Sequence, residues 1–593
     1  MNCNTFNKIR SAILILLLSL VPSTIIFAQD QGFSEKSASL EQWKALKYGM
    51  FIHWGDFSAL GGIYHGEKIA HLGEQIQRHA EAPTEEYELT VRDFNPVDFN
   101  ADEWVSIARN AGMKYMVITA KHHNGFCIWD TKTTDYNIVD ATPFNRDPIK
   151  ELADACKRAG LGFGVYYSTI DWHYPGSVER AVHGQFSVNE TIPEAHHRYS
   201  LAQLQELCSG RYGDLVQVFF DMGLPTPRQS QEMRNVVKSL QPDCQINGRI
   251  MNNMGDFLTM PDNAVPNAPI PQAWEAPSTL YNWSTKEIPG WSNEWWNTWG
   301  YKSWIPTPPL AIQVKKQLRK MAVIVSRGGN FLLNVGPDGT GRIIPYEQNV
   351  LKEMSNWLKD NGEAIYGSSP TPFTRNPDLI CTRKPGKLYF FLIEELKGNA
   401  LELPGLKSEI SRAYMLTDPE QAPLTFTRDN EVTIHIPKRG NHSGMEVVVV
   451  EYDGALEVVT PVVEQVEDHS INLTYEAAYI TGSYDSESYR SLANDTHCNW
   501  DVHVRKKGEY HVRLALNSKL AATRYTLQVG LKQFSVEVKD NQMEGEVGSV
   551  KLDKSEKLNV SVFPAESKKI FSNGYTGFNN LMLEDVTVTL IHR

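Results

Sequence analysis

Residues 101–123 read ADEWVSIARNAGMKYMVITAKHH. Asn100 can cap a helix over 101–111, with Glu103 three residues on, and Gly112 stops it. The apolar run at 115–119 then reads as a strand, and it delivers Lys121, His122 and His123 at its end. The same alternation recurs on both sides. Further candidate strands lie at 50–54, 162–167, 216–221, 245–247 and 330–335, and further helical patterns at 194–208, 231–240, 312–325 and 346–361. Asp147 and Pro148 open one more helix as an N-cap and N1 pair, and Gly160 closes it. Strand–helix alternation from Trp43 to Tyr366 predicts a parallel α/β domain, and its length fits a (β/α)8 TIM-like barrel.

Outward from the barrel the pattern changes. After Ser368 short alternating runs separated by Pro385, Gly386, Asp429, Asn430 and Gly440 predict an antiparallel β-sandwich. The expected division is a signal peptide at 1–28, a catalytic barrel at 29–367, a sandwich at 368–453, a linker at 454–468 and a β-rich module at 469–593. That last module is open to a carbohydrate-binding or a structural role. The signal peptide rests on Lys8 and Arg10, the apolar run 12–20 and the small Ala28, a run too short and interrupted to span a membrane. The expected location is therefore exported, periplasmic or secreted, or lysosomal in a eukaryotic host, without membrane insertion. A net charge of -12 and the lack of a long basic stripe argue against nucleic acid as a partner. The scattered cysteines, with no C-x-x-C pair, indicate neither a disulfide framework nor a zinc cage.

Catalytic side chains of a parallel barrel sit where strands end. Those positions hold His53 and Trp54; Lys121, His122 and His123; Tyr166, Tyr167 and Ser168, with Asp171 and Trp172 beyond; Asp221; Asn247 and Arg249; and Trp274 and Glu275. Imidazoles, aromatic faces, an arginine and two carboxylates from different strands suit a pyranose and its glycosidic bond. A metal site is the competing use of the histidines. Adjacent histidines on a strand point to opposite sides, however, and no metal is assigned.

Several ordered motifs carry a family resemblance. KYGMFIHWGDFS at 47–58, KHHNGFCIWD at 121–130, GVYYSTIDW at 164–172, VFFDMG at 218–223 and NFLLNVG at 330–336 resemble those of glycoside hydrolase family 29, the α-L-fucosidases. The segment GVYYSTIDWH resembles the broad-specificity branch. Two positions depart from the family: Gln75 and Phe219 stand where tryptophan is frequent. The resemblance implies a retaining exo-α-L-fucosidase that acts on fucosylated glycans without a cofactor. It implies Asp221 as nucleophile, and His53, Glu74, His122, His123, Tyr166 and Arg249 as residues that meet the sugar. Glu275, in a W-E context, is the expected acid/base, ahead of Glu294 in an inserted loop and of Asp262, which reads as solvated in a Pro- and Asn-rich loop. A non-catalytic or altered-specificity glycan-binding barrel is the alternative.

Overall fold

The computed structural model describes residues 38–593 apart from 176–190, 267, 271, 284–295, 375–378, 394–398, 430, 438–444, 461, 482–496, 519–523, 540–541, 566–569, 573–574 and 578–582. The expected signal peptide and Glu294 lie outside the described residues. Eight parallel strands form one sheet: β1 (Tyr48–Ile52), β2 (Tyr115–Lys121), β3 (Gly162–Ser168), β4 (Leu215–Asp221), β5 (Gln245–Ile246), β6 (Leu258–Thr259), β7 (Trp274–Thr279) and β8 (Asn330–Val335). Their spatial order is β5-β4-β3-β2-β1-β8-β7-β6. A parallel bridge between Asn247, beside β5, and Phe257, beside β6, joins the two edges into a ring. The sheet is a TIM-like barrel.

Period-two alternation sorts each strand into an inner and an outer face. On β4, Val218 and Phe220 join the core beneath the helices, whereas Gln217, Phe219 and Asp221 face the barrel axis. Those three mark successive inner layers. Gln217 lies in a polar bottom layer with Glu275. Phe219 lies in an aromatic middle layer with Phe51 and Tyr166. Asp221 ends the strand at the C-terminal face.

Helices Ala101–Asn110, Pro148–Ala159, Glu194–Cys208, Pro227–Leu240, Leu310–Ser326 and Pro345–Asn361 surround the ring. Asn100 and Asp147 accept bonds from the Glu103 and Lys150 amides and cap the first two, as expected. The fourth helix starts earlier than its apolar pattern, because Thr226 and Gln229 form a reciprocal capping box around Pro227. Among the described residues no α-helix joins β5 to β6 or β6 to β7. The outer helix layer is incomplete there among the described residues, unlike the full (β/α)8 pattern.

The sandwich pairs a four-stranded sheet (Cys381–Lys384, Lys387–Leu392, Glu446–Tyr452, Ile410–Met415) with a three-stranded one (Ala400–Leu403, Val432–His435, Phe426–Arg428). Its larger sheet is apolar on both faces. Tyr389, Phe391, Val447 and Val449 join the barrel core, and Leu388, Phe390, Val448 and Val450 fill the sandwich. The segment expected to be a linker is divided between its neighbours. Val458 bridges Leu406 of the sandwich, and Val463–Glu464 pairs in parallel with Val502 and His503 of the C-terminal module. That module has its own core around Trp500, and Ala268 of the barrel packs against it.

Candidate active site

Asp221 ends β4 with its carboxylate committed to two partners. Arg249 Nη1 donates to Oδ1 at 2.8 Å and the Tyr166 hydroxyl donates to Oδ2 at 2.7 Å. Burial alone would raise this carboxyl, but the Arg249 charge, with His123 and the Tyr166 hydroxyl, outweighs it and holds Asp221 below the usual carboxylate range. Arg249 sits on a short 3-10 turn after β5. Its other fork nitrogen, Nη2, donates to Asp262 at 2.7 Å. Asp256, the alternative partner for Arg249 in the sequence, pairs instead with Arg234 and Lys238.

Asp262 is part-buried in its loop, with a quarter of its side chain exposed and its carboxylate held by Arg249. It follows the short β6 and shares one guanidinium with the nucleophile candidate. Burial raises its carboxyl; Arg249 opposes that, the Asp221 charge adds to it, and the net shift is upward. A carboxyl held low and a carboxyl held high now face the same arginine. Each accepts a bond from a different nitrogen of the one guanidinium fork.

Glu275, the expected acid/base, lies at the opposite end of the barrel from Asp221. β7 begins at Trp274, so Glu275 occupies the N-terminal end of its strand while Asp221 occupies the C-terminal end of β4. Its carboxyl is fully buried in the bottom layer, where the Tyr115 hydroxyl donates at 2.6 Å and Gln217 Nε2 at 3.2 Å. Gln217 and Asp221 are four residues apart on one strand, about 13 Å at ~3.3 Å per residue. The hydrogen-bond partners of Glu275 are thus those of the bottom layer, two layers below Asp221.

Three histidines line the other side of the mouth. Burial lowers His53 to about 3 and His123 to about 4, and drives His122 well below the ordinary imidazole value. All three are neutral at neutral pH. Their partners fix two tautomers. Asn334 donates its amide to the Trp299 carbonyl, so its Oδ1 accepts from His53 Nδ1–H at 2.7 Å. The single hydroxyl hydrogen of Ser168 goes to the Ile170 carbonyl, so Ser168 Oγ accepts from His123 Nδ1–H at 2.8 Å. Each ring thus carries its lone pair on Nε2. His123 Nε2 stands 3.8 Å from Asp221 Oδ2, two acceptors spaced for a hydroxyl that donates between them. The sequence places the two adjacent histidines on opposite faces. Instead their ring centroids are 4.0 Å apart, because β2 ends at Lys121 and the chain turns at His122–Gly125.

Glu74 accepts the Trp299 and Gly300 amides at 2.9 and 2.8 Å through Oε2. Burial raises its carboxyl despite those bonds. Trp299 also closes the aromatic wall, with its ring 5.1 Å from His53 and 6.0 Å from Phe51. It stands beside Phe219, where the family resemblance leads one to expect tryptophan, in the same apolar cluster.

The chain matches the family model described as alpha-L-fucosidase over residues 28–363. This chain belongs to the alpha-L-fucosidase family. The fucosidase is 30% identical to the plasma alpha-L-fucosidase of Homo sapiens over 377 residues, which cover 58% of this chain and 74% of that one. An alpha-L-fucosidase from Vibrio sp. strain EJY3 shares its fold with a TM-score of 0.70, 24% identity and coverage of 94% of this chain and 98% of that one. A GH29 alpha-L-fucosidase from Bacteroides thetaiotaomicron, solved as a trapped covalent intermediate, gives a TM-score of 0.61 at 24% identity, covering 72% of this chain and 98% of that one. The similarity to the Vibrio fold runs past the barrel and sandwich into the C-terminal module of the fucosidase.

Proposed function

We propose that this glycoside hydrolase is a retaining exo-α-L-fucosidase in which Asp221 is the nucleophile and Asp262 the acid/base. The observation that carries the assignment is the Arg249 fork, which holds both carboxylates while burial and charge move them in opposite directions. Glycosidases divide two carboxyl roles by such differences in environment. The ionised Asp221 attacks the anomeric carbon, and the Asp262 carboxyl gives its proton to the departing oxygen. The ester that forms removes the negative charge of Asp221, which had helped to keep Asp262 protonated. Asp262, now a carboxylate, is in place to take a proton from water, and that water attacks the anomeric carbon and frees Asp221. The trapped covalent intermediate of the Bacteroides relative supports this two-step reading.

His53, His122, His123 and Glu74 serve as ligands for the fucosyl hydroxyls, with Phe51, Tyr166, Phe219 and Trp299 as the apolar floor and wall. The neutral histidines offer lone pairs to sugar hydroxyls without bringing positive charge near the forming oxocarbenium ion. The natural substrates are fucosylated glycans met outside the cell or in an exported compartment. No helix among the described residues is long and apolar enough to cross a membrane. The test is release of free L-fucose from an aryl α-L-fucoside, equal with and without chelator. Absence of release, or loss of release with chelator, contradicts the proposal.

A further inference from the structure

Beneath the histidines lies a buried ion pair that the reaction itself does not use. Lys121 and Asp171 have side chains 0% and 1% exposed, and Nζ donates to Asp171 Oδ2 at 3.2 Å and to the Tyr167 hydroxyl at 3.1 Å. Tyr167 packs in the core outside the barrel ring and donates to Gln203 of helix Glu194–Cys208. The Lys121 ammonium therefore points away from the sugar, on the helix side of β2. Two buried charges cost several kcal/mol of desolvation unless geometry repays them, so such a pair is weak evidence for stability alone.

What the pair holds is specific. Asp171 Oδ1 accepts the His173 and Tyr174 amides at 3.0 and 2.9 Å and so shapes the loop after β3. The next residue, Trp172, donates its amide to the His123 carbonyl at 2.7 Å and sets its ring 5.5 Å from the His123 ring. Just before Asp171, the chain carries Ser168 and Ile170, which fix the His123 tautomer. Gly125, at φ 83, turns so close beneath this loop that a Cβ there would collide with the Asp171 carboxylate. The turn that carries His122 and His123 and the loop that carries Ser168 and Trp172 are thus joined at their base by one charge pair. We infer that Lys121 and Asp171 are positioning residues of the fucosidase: their buried ion pair clamps the loop after β3 onto the paired-histidine turn and so aims His123 Nε2 and Trp172 at the fucosyl unit.

This inference rests on the fucosidase reading, and the experiment separates the two, because failure of that reading appears in the wild-type enzyme and failure of the clamp only in the variants. K121M, D171N and the double variant are purified as full chains, and folding is verified by near-UV circular dichroism below the melting temperature. The D171N side chain keeps an oxygen for the two loop amides while losing the charge, so this variant carries the test if K121M does not fold. The inhibition constant of free L-fucose and kcat/KM on an aryl α-L-fucoside are then measured. Each single variant is expected to weaken fucose binding roughly tenfold or more, and the double variant to be no worse than the weaker single, because the residues act as one unit. A pair that only stabilises the fold would lower the melting temperature and leave the fucose constant of the folded enzyme unchanged. Folded variants whose fucose constant and kcat/KM stay within about threefold of wild type would overturn the clamp.

Discussion

Asp262→Asn, set against Glu275→Gln, separates the two candidate acids. Asparagine keeps the shape of Asp262 and a contact to Arg249, which lies 2.7 Å away, but cannot give up a proton. Positioned proton transfer contributes about 10²–10⁴ in rate, and nearly all of it is needed when the leaving group is a sugar alkoxide. A loss near 10³ in kcat/KM on a fucosyl disaccharide corresponds to about 4 kcal/mol of barrier. A 4-nitrophenolate leaves without help, so kcat/KM on the nitrophenyl fucoside should fall by no more than about tenfold. Its kcat should fall further, because the second step then lacks its base. Glu275→Gln should leave both substrates within about threefold of wild type, since its carboxyl is bonded to Tyr115 and Gln217 in the bottom layer and not to Asp221 or Arg249. The assay is steady-state kinetics on the two substrates for each variant. A leaving-group gap in Glu275→Gln and none in Asp262→Asn would refute the assignment.

Three further outcomes follow from the same geometry. The acid limb of kcat/KM against pH should lie below the usual carboxylate range, from Asp221, and the basic limb above it, from Asp262; Asp262→Asn should abolish the basic limb alone. Burial raises Glu275 to about 7, above its unfolded value, so its contribution to stability is present at low pH and lost as pH rises through about 7. Glu275→Gln should therefore raise the melting temperature more at about pH 8 than at about pH 5, by an amount of the order of 3 kcal/mol in stability; an equal change at both pH values would show that the carboxyl is not held neutral. A chain ending at Val459 removes a module with its own core, and it should keep kcat/KM on an aryl fucoside within about threefold; an inactive soluble product would assign the module to the catalytic unit.

Much of the site is legible in the sequence because strand ends are chemically marked. The runs before His53, His122 and Asp221 are long and apolar, and their polar last residues announce the C-terminal face. The proposed acid, Asp262, escapes that rule for a physical reason. β6 has two residues, Leu258 and Thr259, too few for alternation to register, so the strand-end rule that finds Asp221 does not reach Asp262. β7 has six, but it starts at Trp274 rather than ending there, and a motif gives no direction along the barrel axis. Pro277 inside that strand weakens the signal further; its carbonyl nonetheless accepts the Asn263 amide. The Arg249 fork joins the end of β4 to the loop after β6, and no local pattern encodes it. The missing helices beside β6 likewise follow from short crossovers that carry no helical period.

The most direct test of the central claim is the anomeric configuration of the fucosyl azide formed by two rescued variants. In Asp221→Gly, azide occupies the place of the lost carboxylate and displaces the leaving group once, which gives the β-azide. In Asp262→Gly, Asp221 still forms the ester, and azide attacks from the face the leaving group vacated, which gives the α-azide. Proton NMR of the two products reads both roles in one experiment. The account predicts β from the first variant and α from the second; α from Asp221→Gly, or no azide product from Asp262→Gly while Glu275→Gly yields the α-azide, would contradict it.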